Sequence, residues 1–202
     1  IKLADHLGSF IGQMTDEPVK AINILYDGVV SEMNLAALNC SVVAGIMSRS
    51  NPDVNMVSAP VIAKERGVQI STTNQEKSGA FDGYIKVTVV TETRERSIAG
   101  TVFSDGKPRF IQIKGINLDA EVGQHMLYTT NYDVPGIIGL LGSICAKHQV
   151  NIANFQLGRN RPGGDAIALL YLDAPFPPEV LRELRATDVI LSAKPLSFDV
   201  AA

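Results

Sequence analysis

Apolar residues in the first half of the chain recur with a helical period in three places. Spacings of three and four over residues 3–14, 32–47 and 59–66 place these side chains on one helix face each, so we predict three helices. An alternating run at residues 19–26 predicts a strand between the first two helices.

The period changes to two from residue 84 onward. Ile85, Val87 and Val89 share one face of this stretch, which predicts a strand. Further strands are predicted at residues 98–104, 108–113 and 116–119. Residues 1–122 are therefore predicted to form one layered α/β domain.

The remaining segment, residues 123–202, has a different order of elements. Strands are predicted at residues 124–131, 150–157, 165–172 and 189–200, and helices begin at residues 133 and 177. The resulting order is strand, helix, strand, strand, helix, strand, which is the ferredoxin-like βαββαβ arrangement. The fold class of the whole chain is therefore α+β.

Composition and charge limit the kind of partner. Of 202 residues, 46% are hydrophobic, and 18 basic residues face 21 acidic ones for a net charge of −3. This balance gives no basic surface for an anionic polymer or membrane, so we expect no nucleic-acid and no membrane partner, and a small ligand instead. The longest apolar stretch, residues 134–146, is broken by proline and glycines and is shorter than a membrane helix of about 20 residues.

The chain lacks the local patterns of metal or catalytic sites. His6, His125 and His148 are widely separated, and no phosphate-binding, dinucleotide-binding or nucleophile-elbow motif occurs. Cys40 and Cys145 lie in apolar segments and are interpreted as small core residues. We predict no metal site and no catalytic residue in this chain, and the absence of a secretory pattern in the first residues favours the reducing cytoplasm.

One short segment carries the polar groups of a binding site. Pro135 is expected in the first turn of the predicted helix, and Gly136, Ile137 and Ile138 would present free N–H groups at its positive end. Such amides suit a carboxylate.

Three polar side chains flank these amides. Asp133 can accept from an ammonium group, and Asn131 and Asn151 offer donors and acceptors for a hydroxyl or amino group. Together they describe a receptor for a small zwitterion. Spacing alone favours a purely structural role over a binding site. In that interpretation Asp133 caps the helix and Asn151 caps a turn.

Motifs over most of the chain resemble known families. Residues 128–154, with D-x-P-G-I-I-G and V-N-I-A-N, followed by L-G-R…G-G-D-A, resemble an ACT domain. Upstream, P-D-V-N-M-V-S-A-P at 52–60, A-K-E-R-G at 63–67, I-A-G-T-V-F at 98–103 and P-R-F-I-Q-I at 108–113 resemble the intervening domain of the D-3-phosphoglycerate dehydrogenase family. The chain is thus expected to be a C-terminal regulatory region of that family.

The resemblance implies that catalysis takes place in other domains and that this chain binds an effector. Members oxidise 3-phosphoglycerate with NAD in serine synthesis, in catalytic domains that would lie before Ile1, so no cofactor is expected here. L-serine, or a related amino acid, would bind where two ACT domains meet edge to edge, which implies a homo-oligomer, a dimer or tetramer. The matching positions are Asn131 and Asp133 on one copy and Asn151 on the other, beside Pro135, Gly136, Ile137 and Ile138.

A second, anion-binding site found in some relatives is expected to be weak or missing. Only Arg109 matches its basic cluster, and the following strand carries Glu121 where basic groups would be expected. Lys107 and Lys114 are better interpreted, with Arg109, as a solvated strand end.

Two alternatives remain open at this point. An iron–sulfur L-serine dehydratase also pairs an intervening-type domain with an ACT domain, although its cluster needs more cysteines than the two in this chain. The fragment could also serve oligomerisation alone, because an exposed sheet edge can pair with its own copy without any ligand.

Overall fold

The computed structural model describes residues 1–76 and 79–200. They fall into two compact units, Ile1–Gly115 and Ile116–Ala202. Both units mix helices and sheet, which confirms the predicted α+β class. Within the described ranges no helix is both long and apolar enough to cross a bilayer.

The first unit contains the three predicted helices. They are α1 (Lys2–Met14), α2 (Leu35–Ser48) and α3 (Ala59–Glu65). The second begins three residues later than predicted, because Val29–Glu32 forms a separate 3-10 turn. Asn34 then caps α2 by accepting a hydrogen bond from the Ala37 N–H at 3.3 Å.

The strands of the first unit form a mixed sheet. They are β1 (Ala21–Gly28), β2 (Gln69–Gln75), β3 (Gly83–Val90), β4 (Glu95–Val102) and β5 (Pro108–Ile113). Their order in the sheet is β2-β1-β3-β4-β5, with β2 parallel to β1 and the other neighbours antiparallel. The alternation in β3 appears as predicted, since Ile85, Val87 and Val89 are all buried.

The sequence interpretation missed β2. Its sequence, Q-I-S-T-T-N-Q, is almost entirely polar, and six of its seven residues are exposed. Its backbone pairs with β1 from Ala21 opposite Gln69 to Asp27 opposite Gln75. Because main-chain hydrogen bonds and not side-chain burial hold this strand, the apolar period carries no sign of it.

The core of the first unit depends on close contact between α1 and α2. Gly8 and Gly12 of α1 face Gly45 and its neighbours in α2, and a Cβ placed on Gly45 would lie 2.6 Å from the Ser9 nitrogen. Small residues here let the two helix backbones touch. On its other side α1 packs against the sheet, where the Phe10 and Phe110 rings meet edge to face with centroids 5.3 Å apart.

The second unit has the predicted ferredoxin-like fold. Its elements are β6 (Ile116–Glu121), β7 (His125–Tyr132), α4 (Ile137–Lys147), β8 (Ile152–Arg159), β9 (Asp165–Leu172), α5 (Pro178–Arg185) and β10 (Ile190–Ser197). The last four strands form an antiparallel sheet in the order β10-β7-β9-β8. The predicted boundary between the two domains, at residue 122, stays a prediction.

Both helices of the second unit lie on one face of this sheet. Leu141 of α4 and Leu184 of α5 are fully buried against Leu127 of β7 and Leu170 of β9 in one hydrophobic cluster. This packing fixes the start of α4 relative to the end of β7, and so places the residues between them.

The α1–α2 contact predicts the effect of adding one methyl group. Gly45→Ala should lower the free energy of unfolding by about 1 to 3 kcal/mol, because the added Cβ meets backbone atoms that cannot move aside. Urea denaturation of both proteins measures the difference.

The matched control is Gly142→Ala inside α4, where no heavy atom lies within 4 Å of the added Cβ. This change should leave stability unaltered or raise it by up to about 1 kcal/mol, since alanine favours helix over glycine. Equal effects at the two glycines would contradict the proposed contact between α1 and α2.

Candidate ligand-binding site

A cleft of about 490 Å³ opens at the end of β7. Its walls come from the loop that leads from β7 into α4, from the end of β8 and from the turn between β8 and β9. Of the predicted effector-binding residues, Asn131, Asp133, Pro135, Gly136, Ile137 and Ile138 line this cleft.

The start of α4 differs from the prediction. The helix begins at Ile137, and Gly136 is its N-cap with φ 96°, in the left-handed region that favours glycine. Pro135 therefore precedes the helix, and the expectation that it lies in the first turn is wrong. The reason is the left-handed conformation of Gly136, the residue between Pro135 and the helix. A sequence pattern of proline followed by apolar residues does not reveal this conformation.

The N-terminal amides of α4 are open to a ligand. The Gly136 carbonyl accepts from the Leu140 N–H at 2.8 Å, but the N–H groups of Ile137 and Ile138 have no acceptor in the described part of the chain. No side chain caps this helix. These amides, at the positive end of the helix dipole, can therefore donate to an anionic group.

Asp133 holds the rim of the cleft together. One carboxylate oxygen, Oδ2, accepts from Arg159 Nη1 at 2.9 Å and from the Gly163 N–H at 2.9 Å. The Gly163 amide and the Arg159 guanidinium hold the pKa of this carboxyl below its usual range. Asp133 thus fastens the β8–β9 turn and does not cap α4, which overturns the helix-cap interpretation.

Asn131 places an unpaired acceptor in the cleft wall. The whole residue is only 1% exposed. The amide nitrogen Nδ2 donates to the Tyr132 carbonyl at 2.8 Å, while Oδ1 is buried and has no partner among the described residues. A buried acceptor without a donor is costly, so this oxygen is suited to receive a hydrogen bond from a ligand.

Asn151 lies elsewhere in the unit. It precedes β8, whereas the cleft lies at the far end of that strand, and its Nδ2 donates to Asp173 Oδ2 at 2.8 Å. Asn151 does not line the cleft. One copy of the chain therefore brings together the other six predicted effector-binding residues without Asn151.

Sequence reasoning missed seven of the described residues that line the cleft. They are Val134, Gly139, Leu157, Arg159, Pro162, Gly163 and Ala166. Arg159 was assigned to a turn, but β8 runs two residues further than predicted and ends at Arg159. The L-G-R…G-G-D-A pattern contained the relevant signal, although spacing alone does not show that the arginine meets Asp133.

The surface around the cleft is apolar and uncovered. Tyr132, Val134, Ile138 and Leu157 are 50%, 42%, 59% and 43% exposed. The strand β8 is at the edge of its sheet. No heavy atom lies within 4 Å of a Cβ built on Gly136, Gly139 or Gly142, so these glycines leave one face of α4 accessible.

Arg109, the candidate anion-binding residue, has partners within the first unit. Its Nη2 donates to Asp105 Oδ2 at 3.0 Å, and its guanidinium lies 4.7 Å from the centre of the Phe103 ring. Its side chain is 18% exposed. These contacts already engage the charge, in keeping with the expectation of a weak anion site, which stays a prediction.

The fold and the cleft define a class of protein: two α+β units, the second ferredoxin-like, with a cleft at the end of β7 that is lined by open amides and polar side chains. A sequence model of the D-3-phosphoglycerate dehydrogenase intervening domain matches residues 1–114. The chain belongs to this family, which confirms the resemblance of its N-terminal motifs.

Several curated relatives match nearly the whole chain. D-3-phosphoglycerate dehydrogenase of Bacillus subtilis is 29% identical over 194 residues, 96% of this chain and 37% of the relative. The same enzyme of Synechocystis is 32% identical over 186 residues, 91% of this chain and 34% of the relative. The enzyme of Methanocaldococcus jannaschii is 29% identical over 91% of this chain and 35% of its own length. The chain therefore spans about a third of each of these proteins.

The contacts of Asp133 predict a pH-dependent contribution to stability. Its pKa is lowered on folding, so its stabilising contribution is full above the unfolded pKa of about 3.9 and is lost as the pH falls through the lower folded value. Asp133→Asn should therefore lower Tm at pH 7, and the difference from the wild type should shrink below about pH 4. Calorimetry at several pH values measures this difference.

Asp188→Asn is the control, because Asp188 is exposed in the same unit and contacts neither Arg159 nor Gly163. Its Tm should follow that of the wild type at every pH. A constant difference between Asp133→Asn and the wild type down to pH 2 would show that the carboxylate charge is irrelevant.

Proposed function

We propose that this chain is the regulatory part of a D-3-phosphoglycerate dehydrogenase and binds L-serine, or a closely related amino acid, for feedback control. The family match and the names of the relatives support the parent activity. In this proposal, NAD-dependent oxidation of 3-phosphoglycerate takes place in catalytic domains outside these 202 residues. This chain then contributes regulation and no catalytic or NAD-binding group.

The chemistry of the cleft supports a zwitterionic ligand. The open amides of Ile137 and Ile138 suit its carboxylate. Two acceptors suit the ammonium group of the ligand. One is Asp133 Oδ1, which accepts neither of the two hydrogen bonds made to Oδ2 of the same side chain, and the other is the unpaired Asn131 Oδ1. The observation that carries the proposal is this pairing of open helix amides with a buried, unpartnered acceptor in one cleft.

A second copy of the chain completes the proposed site. Asn151 lies away from the cleft of its own copy, and β8 offers an unpaired sheet edge beside exposed apolar residues. Edge-to-edge pairing of two ferredoxin-like units would cover this apolar surface, and we propose that it brings Asn151 of one copy to the cleft of the other.

Serine would then act by stabilising one arrangement of the oligomer. An effector shifts a conformational equilibrium only through unequal affinity for the two states. A coupling free energy of about 1 to 3 kcal/mol would change affinity by a factor of about 5 to 150. We place this oligomer, a dimer or tetramer, in the cytoplasm.

A second candidate function is oligomerisation without a ligand. The exposed apolar residues around the cleft favour it, because a self-complementary surface of this kind can pair by itself. The two functions differ in whether the polar groups of the cleft affect anything besides assembly.

The first prediction from this proposal is that L-serine binds the chain and raises its Tm at millimolar concentration. Asp133→Ala and Asn151→Ala should each abolish the heat of binding in isothermal titration calorimetry while the molar mass measured by light scattering stays that of the wild type. Asp188→Ala, exposed and outside the cleft, should bind as the wild type does.

The absence of heat and of thermal stabilisation in the wild-type chain at millimolar serine would overturn the proposed function. If the oligomer nevertheless forms and Asp133→Ala leaves it intact, the structural role alone is supported. Loss of assembly in Asn151→Ala would show that this residue stabilises the interface.

A further inference from the structure

The ion pair between Arg159 and Asp133 leaves part of each group unused. Arg159 Nη1 donates to Asp133 Oδ2 at 2.9 Å, and the same oxygen accepts from the Gly163 N–H. A guanidinium has five N–H donors, and the remaining ones of Arg159 have no acceptor in the described ranges 1–76 and 79–200. Asp133 Oδ1 is equally without a donor there.

The free donors and acceptors fall into two sets of opposite polarity in one cleft. The unused Arg159 N–H groups and the α4 amides are donors, and Asp133 Oδ1 and the buried Asn131 Oδ1 are acceptors. The Arg159 side chain is 53% exposed, whereas that of Asp133 is 18% exposed, so the guanidinium is the more accessible charge. A ligand entering the cleft can therefore meet the arginine without breaking its bond to Asp133.

The bond to Asp133 also prepares Arg159 for binding. A free arginine side chain loses rotamer entropy when it binds an anion, but one that is already tethered has lost part of it beforehand. The planar guanidinium forms charge-assisted and often paired hydrogen bonds to carboxylates. Arg159 thus has the chemistry and the restraint of a carboxylate-recognition residue.

We propose that Arg159 selects ligands with a free α-carboxylate, by binding that group together with the α4 amides while Asp133 holds the guanidinium in place. This inference rests on the proposed function, since it names the specificity determinant of the same amino-acid site. The ligand class is an unesterified, unamidated α-amino acid. Amino alcohols and amino-acid amides, which keep the ammonium group, are discriminated against.

The test compares L-serine with L-serinamide, which replaces the carboxylate by a neutral amide and keeps the ammonium and hydroxyl groups. Titration calorimetry on the intact chain at about pH 6 keeps the α-amino group of both ligands protonated. The wild type should bind serine about 10- to 100-fold more tightly than serinamide, as expected for a charge-assisted hydrogen bond. In Arg159→Gln the ratio should fall about 10-fold, through weaker binding of serine alone, while the α4 amides keep the remaining preference for the carboxylate.

Two further variants separate specific from general effects. Arg161→Gln removes the same charge from a nearby residue in the β8–β9 turn that does not line the cleft, so it should keep the wild-type ratio. Arg159→Lys keeps the charge and the contact with Asp133 but loses the paired geometry, and it should give an intermediate ratio. If Arg159→Gln does not fold, Arg159→Lys provides the test, because the proposal requires its serine-to-serinamide ratio to be lower than that of the wild type.

The outcomes distinguish the two proposals. A serine-to-serinamide ratio unchanged by Arg159→Gln would overturn the role of Arg159 and leave the serine site standing, with the ion pair reduced to a surface contact of little energetic weight. If the wild type binds neither ligand, the proposed function itself fails and the specificity role fails with it. A ratio that falls in Arg161→Gln as much as in Arg159→Gln would also contradict the proposal, by showing a general charge effect.

Discussion

The hydrogen bonds accepted by the Asp133 carboxylate determine the shape of the cleft. One comes from the side chain of Arg159, the last residue of β8, and the other from the Gly163 amide in the β8–β9 turn. The Asp133 N–H also donates to the Gly164 carbonyl at 3.1 Å. These contacts connect the turn to the loop entering α4, and so link the two walls of the cleft.

This small polar network depends on an apolar scaffold. Leu141, Leu184 and their neighbours hold α4 and α5 on the sheet, so that the end of β7 and the start of α4 keep a fixed separation. Rigid secondary structure thus positions the donors and acceptors, while the loops supply the chemistry. The same division explains why the most buried side chains of the unit are apolar, with Asn131 a polar exception at the cleft.

The sequence predicted the parts of the fold that depend on apolar periodicity. The βαββαβ order and the helices of the first unit follow from it, and both are found. The polar strand β2 was missed because its stability comes from main-chain pairing. The sequence reasoning named cleft residues where these are adjacent in sequence, as in the segment from Asn131 to Ile138. The contact of Arg159 with Asp133 was not predicted, because it depends on the register of β7, β9 and β8, which sequence spacing does not determine.

The left-handed conformation of Gly136 shows that the backbone, and not contact with a ligand, constrains this position. At φ 96° almost any other residue would be strained, although no neighbouring atom limits the space there. Natural variation at this position is therefore restricted by the backbone, whatever molecule the cleft accepts. Chains that share this fold should therefore retain the glycine and differ instead in the side chains at the ends of β7 and β8.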